Sequence, residues 1–158
     1  MTTQIPDRFL FKGDEYSLIG MDGGDLASPK QFGMEPKMMH TGCYRGFYAT
    51  YELTEESLYL KKLTLREKNR NYLPIEGIEA TKEDYQATYH GLSVVVPFTG
   101  YIRLAKDFIK ELYVHEDYYQ KSTAFKTVLD ITLKDGKVVG INDRSREMEQ
   151  ERGALKKH

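Results

Sequence analysis

The sequence predicts a mainly β protein: an antiparallel β-sandwich or partly open β-barrel of hairpins, with one short helix and a mobile C-terminal tail. Three observations carry this reading. Residues 42–67 alternate side-chain character on both sides of a polar Thr-Glu-Glu-Ser turn, with no proline inside. Asp135-Gly136 joins two β-branched runs, the strongest short hairpin signal in the chain. No regular alternation of strand and helix patterns exists, which argues against a parallel α/β sheet.

Along the chain, residues 8–12 and 15–20 read as a first hairpin around Gly13-Asp14. Residues 21–41 form a long irregular stretch containing Met21, Met34, Met38 and Met39. Loops of that length in compact domains are usually functional or mobile, and the methionines imply that part of this one packs onto the body. In the central hairpin Cys43, Arg45, Phe47, Ala49, Tyr51 and Leu53 share one face, and Tyr44, Gly46, Tyr48, Thr50 and Glu52 the other. Its second strand changes phase: Leu58 and Leu60 agree, whereas Leu63 and Leu65 take the opposite parity across Lys61-Lys62, as a β-bulge produces.

Residues 69–89 read as loop with one short turn of helix, and 91–96 as a β-branched strand. Residues 101–105 read as strand, while apolar positions at 104, 105, 108, 109, 112 and 113 predict a helix beginning near Lys106. In the hairpin of 127–133 and 137–141, a two-residue turn sets Leu133 opposite Val138 and Asp130 opposite Ile141. From Asp143 the chain mixes four acids with five bases and offers no apolar face. The expectation is a single β-rich domain over 1–142 and a charged tail over 143–158 that is flexible or only locally helical.

At 158 residues, 40% apolar and 30% charged, the composition is that of one globular domain. A net charge of −1 gives no global field toward nucleic acid or an anionic membrane. The longest apolar run, Val94 to Phe98, is far short of a spanning helix, and the N-terminus lacks a basic region followed by an apolar stretch. One cysteine makes no internal disulfide. The expected compartment is the cytoplasm. Twelve tyrosines and no tryptophan suit half-exposed strands, and also a binding surface.

No catalytic signature stands out. Cys43, the only thiol, lies near His40 and Arg45, but reads as a buried structural cysteine. Among His40, Cys43, His90 and His115 only the first pair has metal-like spacing, so neither a metal nor another cofactor is expected. Asp22-Gly23-Gly24-Asp25 lacks the ligand order of a calcium loop. Lys61-Lys62 and the 66–70 stretch make a basic stripe beside Tyr59 and Tyr72, diluted by Glu52, Glu55, Glu56, Glu67 and Glu76; no nucleic-acid partner is expected.

Arg45 is the residue of most interest, since an apolar strand face demands a partner for its charge. The structural reading pairs it with Asp107 or Asp130. The functional reading makes it an anion anchor at a barrel mouth, with Tyr44, Tyr48 and Tyr51 around it. Met34, Met38 and Met39 are the candidate partner surface.

The stretches FLFKGDEYSLIG at 9–20, TGCYRGFYATYEL at 41–53, PFTGYIRLAKDFI at 97–109 and ELYVHED at 111–117 together resemble a set of small bacterial cytoplasmic proteins known only as hypothetical. In that set an aromatic-Arg-Gly triplet, here Tyr44-Arg45-Gly46, follows the cysteine. A proline commonly stands where this chain has Lys110, which would make the segment from 104 a strand end and a short turn. The resemblance implies no activity. The expected function is therefore a non-enzymatic binding or interaction module with a protein partner. A small-ligand β-barrel is the alternative, and a Cys/His enzyme the second alternative.

Overall fold

The structure, a computed structural model, describes residues 4–112 and 121–156. Strands β1 (Arg8–Phe11) and β2 (Asp14–Gly23) form the first hairpin. Its two-residue turn is Lys12-Gly13, both at positive φ (51° and 82°), one position earlier than expected. Strands β3 (Phe47–Leu53) and β4 (Leu58–Leu65) make the central hairpin. The Thr54 hydroxyl closes its turn, accepting the N–H groups of Glu56 (3.2 Å) and Ser57 (3.0 Å). Thr50 pairs with Lys62 and Tyr51 with Leu60, so Lys61 is the extra residue of a bulge. That bulge lets Leu58, Leu60, Leu63 and Leu65 all enter the core.

Then follow β5 (Thr81–Glu83), β6 (Gln86–Tyr89), β7 (Val94–Val95), β8 (Gly100–Phe108), β9 (Phe125–Lys134) and β10 (Lys137–Asp143). The ten strands form one mixed sheet in the order β10-β9-β8-β2-β1-β3-β4-β6-β5, with β7 also beside β4. One face covers the main core, where Phe9, Tyr51, Leu60, Ile102, Leu104 and Ile131 are fully buried. Each such side chain contributes about 1.5–3 kcal/mol over leaving it exposed. The β9–β10 turn reaches across to the segment after β7, Gly136 N–H donating to Phe98 O at 2.7 Å. A Cβ at Gly136 would lie 2.6 Å from Val96 O, so only glycine permits this approach.

The sheet departs from all-antiparallel pairing at one place. β1 runs antiparallel to β2 but parallel to β3, Phe9 opposite Tyr51. The long 24–46 connection carries the chain back to start β3 in the same direction.

The helix expected from Lys106 is not there. β8 continues to Phe108, and Lys106 pairs with Thr127. The helical spacing arises because this strand is buried on both faces: Ile102 and Leu104 enter the main core, while Ala105 enters a second cluster behind the sheet. Residues 110–112 form a 3-10 turn, and the 113–115 end of the expected helix lies outside the described residues.

The tail, expected to be flexible or only locally helical, carries the α-helix α1 (Ser145–Lys156). Asp143 accepts Ser145 N–H at 2.9 Å, and the Ser145 hydroxyl accepts Val128 N–H at 3.0 Å. Met148 plugs into the second cluster with Ile19, Ala105, Ala124, Phe125 and Val128. Arg152 donates to the carbonyls of Thr123 and Phe125, each at 2.8 Å. One methionine and several arginines thus dock the helix, which explains why no apolar stripe announced it. In the last hairpin Leu133 does face Val138, but Ile141 faces Ile131, because a bulge between Val138 and Gly140 shifts the register. Residues 81–89, read as loop, form the β5–β6 hairpin.

Candidate functional site

Arg45 sits in the turn ahead of β3, not within the strand. Gly46 makes that turn at φ 83°, and a Cβ there would lie 2.2 Å from Lys37 O, so the position requires glycine. Gly46 O accepts Arg66 N–H (2.9 Å), and Lys37 N–H donates to Arg66 O (2.8 Å), tying the irregular 21–41 stretch to this turn. Ile5 N–H donates to Gly42 O at 2.8 Å, so the N-terminal segment crosses the same point.

From this turn the Arg45 side chain folds back over the Phe47 ring, 4.3 Å from its centroid, and pairs with Asp7. Asp7 is only 4% exposed. Its carboxylate also accepts Ala49 N–H at 2.9 Å, and its carbonyl accepts Leu18 N–H at 2.9 Å. Burial pushes the Asp7 carboxyl above its ordinary range, while the Arg45 charge and the Ala49 N–H pull it back. The Arg45 side chain keeps 44% of its surface exposed. Asp7 engages one terminal nitrogen of a guanidinium that carries five N–H donors.

A cavity of about 450 Å³ opens beside the pair. Ile5, Pro6, Leu18, Met21, Leu26 and Phe47 give it an apolar wall, and Asp7, Asp25, Ser28, Cys43 and Arg45 supply polar groups. The 3-10 turn Pro29–Phe32 holds the Ser28 end, with a capping box between Ser28 and Gln31. The buried Gln4 amide closes another side, donating to Thr41 O at 2.9 Å and accepting Tyr44 N–H at 2.7 Å.

Of the four residues assigned to ligand binding, the structure brings only Arg45 to this cavity. Tyr44 is 41% exposed. Tyr48 lines a separate depression with Arg8, Glu15, Thr50, Lys62 and Thr64. Tyr51 is wholly buried, stacked on Phe9 with centroids 5.0 Å apart, and its hydroxyl donates to Ala27 O at 3.5 Å. Burial raises the Tyr51 pKa well above the usual phenol range. The partner of Arg45 is Asp7 rather than Asp107 or Asp130; Asp130 is held by Arg103 at 2.6 Å and Arg144 at 3.1 Å.

The methionine surface also needs correction. Met34 (2% exposed) and Met39 (4%) are core residues, and the Tyr89 hydroxyl points at Met34 Sδ from 3.3 Å. Of the three, Met38 alone faces solvent, at 49%; Met21, in β2, is 41% exposed. Met34 and Met39 pack the 21–41 stretch onto the body, so Met34, Met38 and Met39 do not form one exposed surface.

Cys43 is buried and its thiol donates to Phe47 O at 3.5 Å. Burial pushes its pKa up, with only partial offset from the Gly46 and Phe47 backbone and from Arg45, which leaves a thiol and not a thiolate. His40 is exposed, and its Nδ1 accepts Gly42 N–H at 3.1 Å. Among the described residues no group of three or more His, Cys, Asp or Glu side chains is placed to hold a metal; His115 lies outside them. No helix among them is long and apolar enough to cross a membrane.

Sequence reasoning missed Asp7, whose only signal was an acid just before a strand, and Glu67, which reads as a dilution of the basic stripe. Glu67 is buried and accepts the N–H groups of Glu35 (3.1 Å), Asn69 (2.7 Å) and Asn71 (3.1 Å). Burial pushes its carboxyl up, but these backbone donors outweigh burial and hold it below its ordinary range. It fixes the loop after β4 to the stretch that carries Lys37. Comparison of the chain with protein-family models, with curated proteins and with solved structures finds no match.

Proposed function

We propose that this chain is a non-enzymatic binding module that holds a small molecule in the cavity beside Arg45. The observation that carries the reading is a guanidinium fixed on one side by a buried carboxylate while its exposed remainder lines the cavity. An arginine positioned in this way loses little conformational freedom on binding and offers a planar fork to a carboxylate or phosphate. Asp25, which also lines the cavity, suits a second, cationic group. The ligand class favoured is a small amphoteric molecule with an anionic group toward Arg45, an amine toward Asp25 and an apolar body against Leu26 and Phe47.

The raised pKa of Cys43 speaks against the thiol-enzyme alternative. The protein-partner reading loses Met34 and Met39 as its surface. The ligand reading goes with a sheet curled as a partly open barrel, and the crossing from Gly136 to Phe98 supports that shape.

A thermal-shift screen with amino acids, amino-phosphates and simple anions tests the reading, run on wild type and on Leu26→Trp, which fills the cavity. A compound that raises the wild-type melting temperature and leaves Leu26→Trp unmoved supports it. Equal shifts in both proteins, or none in wild type, overturn it.

A further inference from the structure

The Asp7–Arg45 pair leaves one polar atom of the cavity wall unused. Arg45 and the Ala49 N–H both donate to Oδ1 of Asp7. Oδ2 of the same carboxyl accepts no hydrogen bond among the described residues. No side-chain oxygen among them is fully buried without a partner, so Oδ2 is not sealed into the core. Asp7 is 4% exposed and lines the cavity, so the cavity is what Oδ2 borders.

An anion brought to Arg45 therefore arrives beside a buried acid. While Asp7 is ionised, two negative charges share one guanidinium, and a buried charge that loses part of its partner is costly. A proton on Oδ2 removes the conflict and turns that oxygen from an acceptor into a donor. Oδ1 can keep both of its bonds in either state.

We propose that the cavity takes up its anion together with one proton from solvent: Arg45 donates to one oxygen of the anionic group, and Asp7, protonated on Oδ2, donates to another. The proposal rests on the reading of the cavity as a ligand site, and it narrows the ligand to one whose anionic group has at least two accepting oxygens. Binding then weakens as pH rises. The coupling is reciprocal: the anion tightens the hold of Asp7 on its proton by the factor by which the proton tightens the hold on the anion. Burial already pushes the free carboxyl above its ordinary range, and the anion acts in the same direction.

The other groups around Asp7 do not account for such a proton. Cys43, before β3, and Tyr51, in β3, feel the Asp7 charge, but burial raises both and keeps them neutral. Leu18 of β2 and Ala49 of β3 offer only backbone N–H groups. His40 is exposed and bonded to the Gly42 N–H. Asp25 is the other acid that lines the cavity, and the experiment must separate it from Asp7.

Isothermal titration of leucine and of phenylalanine into wild type and Asp7→Asn does so, run from about pH 5 to about pH 8 in buffers of different ionisation enthalpy. The carboxylates of both compounds stay ionised throughout. An asparagine amide copies the protonated acid: its oxygen can keep the Oδ1 bonds, and its NH₂ is a permanent donor in place of Oδ2. Wild type is expected to take up a proton with the ligand, its Kd rising by up to about tenfold per pH unit through the titration of Asp7. Asp7→Asn is expected to bind without uptake and with a flat pH profile. Wild-type binding with no uptake and a flat profile overturns the proposal and leaves the ligand reading standing. Uptake that persists in Asp7→Asn places the proton on another group, Asp25 first, and also overturns it. If neither compound binds either protein, the proposal falls together with the ligand reading.

Discussion

Asp7 and Arg45, thirty-eight residues apart in sequence, form an ion pair in which the acid is buried and the base is half-exposed. The acid is also bonded to Ala49 N–H in β3, so the pair fixes the N-terminal segment, the turn before β3 and the cavity wall together. Its electrostatics give the first prediction. Burial already raises the Asp7 pKa, and removing Arg45 raises it further. A carboxyl whose folded pKa exceeds its unfolded value loses stabilisation as pH rises through the folded pKa. Arg45→Met should therefore cost more at pH 8 than at pH 5. The loss at neutral pH should be about 1–2 kcal/mol, discounted because the guanidinium is wet. Urea unfolding at the two pH values checks this; an equal or reversed difference contradicts it.

Gly46→Ala should be more disruptive than its size suggests. The methyl group would meet Lys37 O at 2.2 Å, and the backbone is held at φ 83°. A destabilisation of about 2–4 kcal/mol is expected from strain and clash combined. Gly153→Ala, whose methyl would meet nothing within 4 Å, serves as the control and should be neutral or slightly stabilising. Similar melting temperatures for the two variants would contradict the account.

Glu67→Gln should destabilise by about 1–3 kcal/mol at neutral pH, since an amide offers one accepting oxygen where the carboxylate offers two. The Glu67 carboxyl titrates below its ordinary range, so its contribution is present above the unfolded pKa and is lost as pH falls through the folded pKa. The gap between wild type and variant should close in acid. Chemical denaturation from pH 7 down to pH 3 reads this directly, and a constant gap would show that the carboxylate charge is not the cause.

Met148→Ala should loosen α1 without unfolding the sheet. Its cost is about 2–4 kcal/mol if the helix and sheet unfold together, as for other buried methionines. Amide exchange should rise along Ser145–Lys156 and at Val128, which is bonded to Ser145. Unchanged protection in α1 would mean the arginine contacts alone dock it.

Much of the sheet was legible because its physics is local. The alternation of β3, the phase slip at Lys61 and the Asp135-Gly136 turn each depend on a few neighbouring residues. What failed was non-local. Leu104 and Ala105 mimic a helix because Leu104 enters the main core while Ala105 enters the second cluster, which Met148 of α1 helps to build, and α1 itself is docked by Met148, Arg144 and Arg152. The tyrosines at 44, 48 and 51 share no surface: Tyr51 packs into the core against Phe9, Tyr48 lines a separate depression, and Tyr44 lies exposed in the turn before β3. Arg45 was identifiable from its apolar surroundings, but nothing near it in sequence could name Asp7 as its partner.

The most direct test of the Arg45 cavity is a titration followed in amide ¹H–¹⁵N spectra, with amphoteric compounds added to wild type and to Arg45→Met. Leu18, Cys43 and Ala49 report on the cavity, because Leu18 and Ala49 donate to Asp7 and Cys43 lines the wall. The account predicts saturable shifts of these three amides in wild type and their loss in Arg45→Met. Spectra in which no compound moves them, or in which the same shifts persist without Arg45, would contradict it.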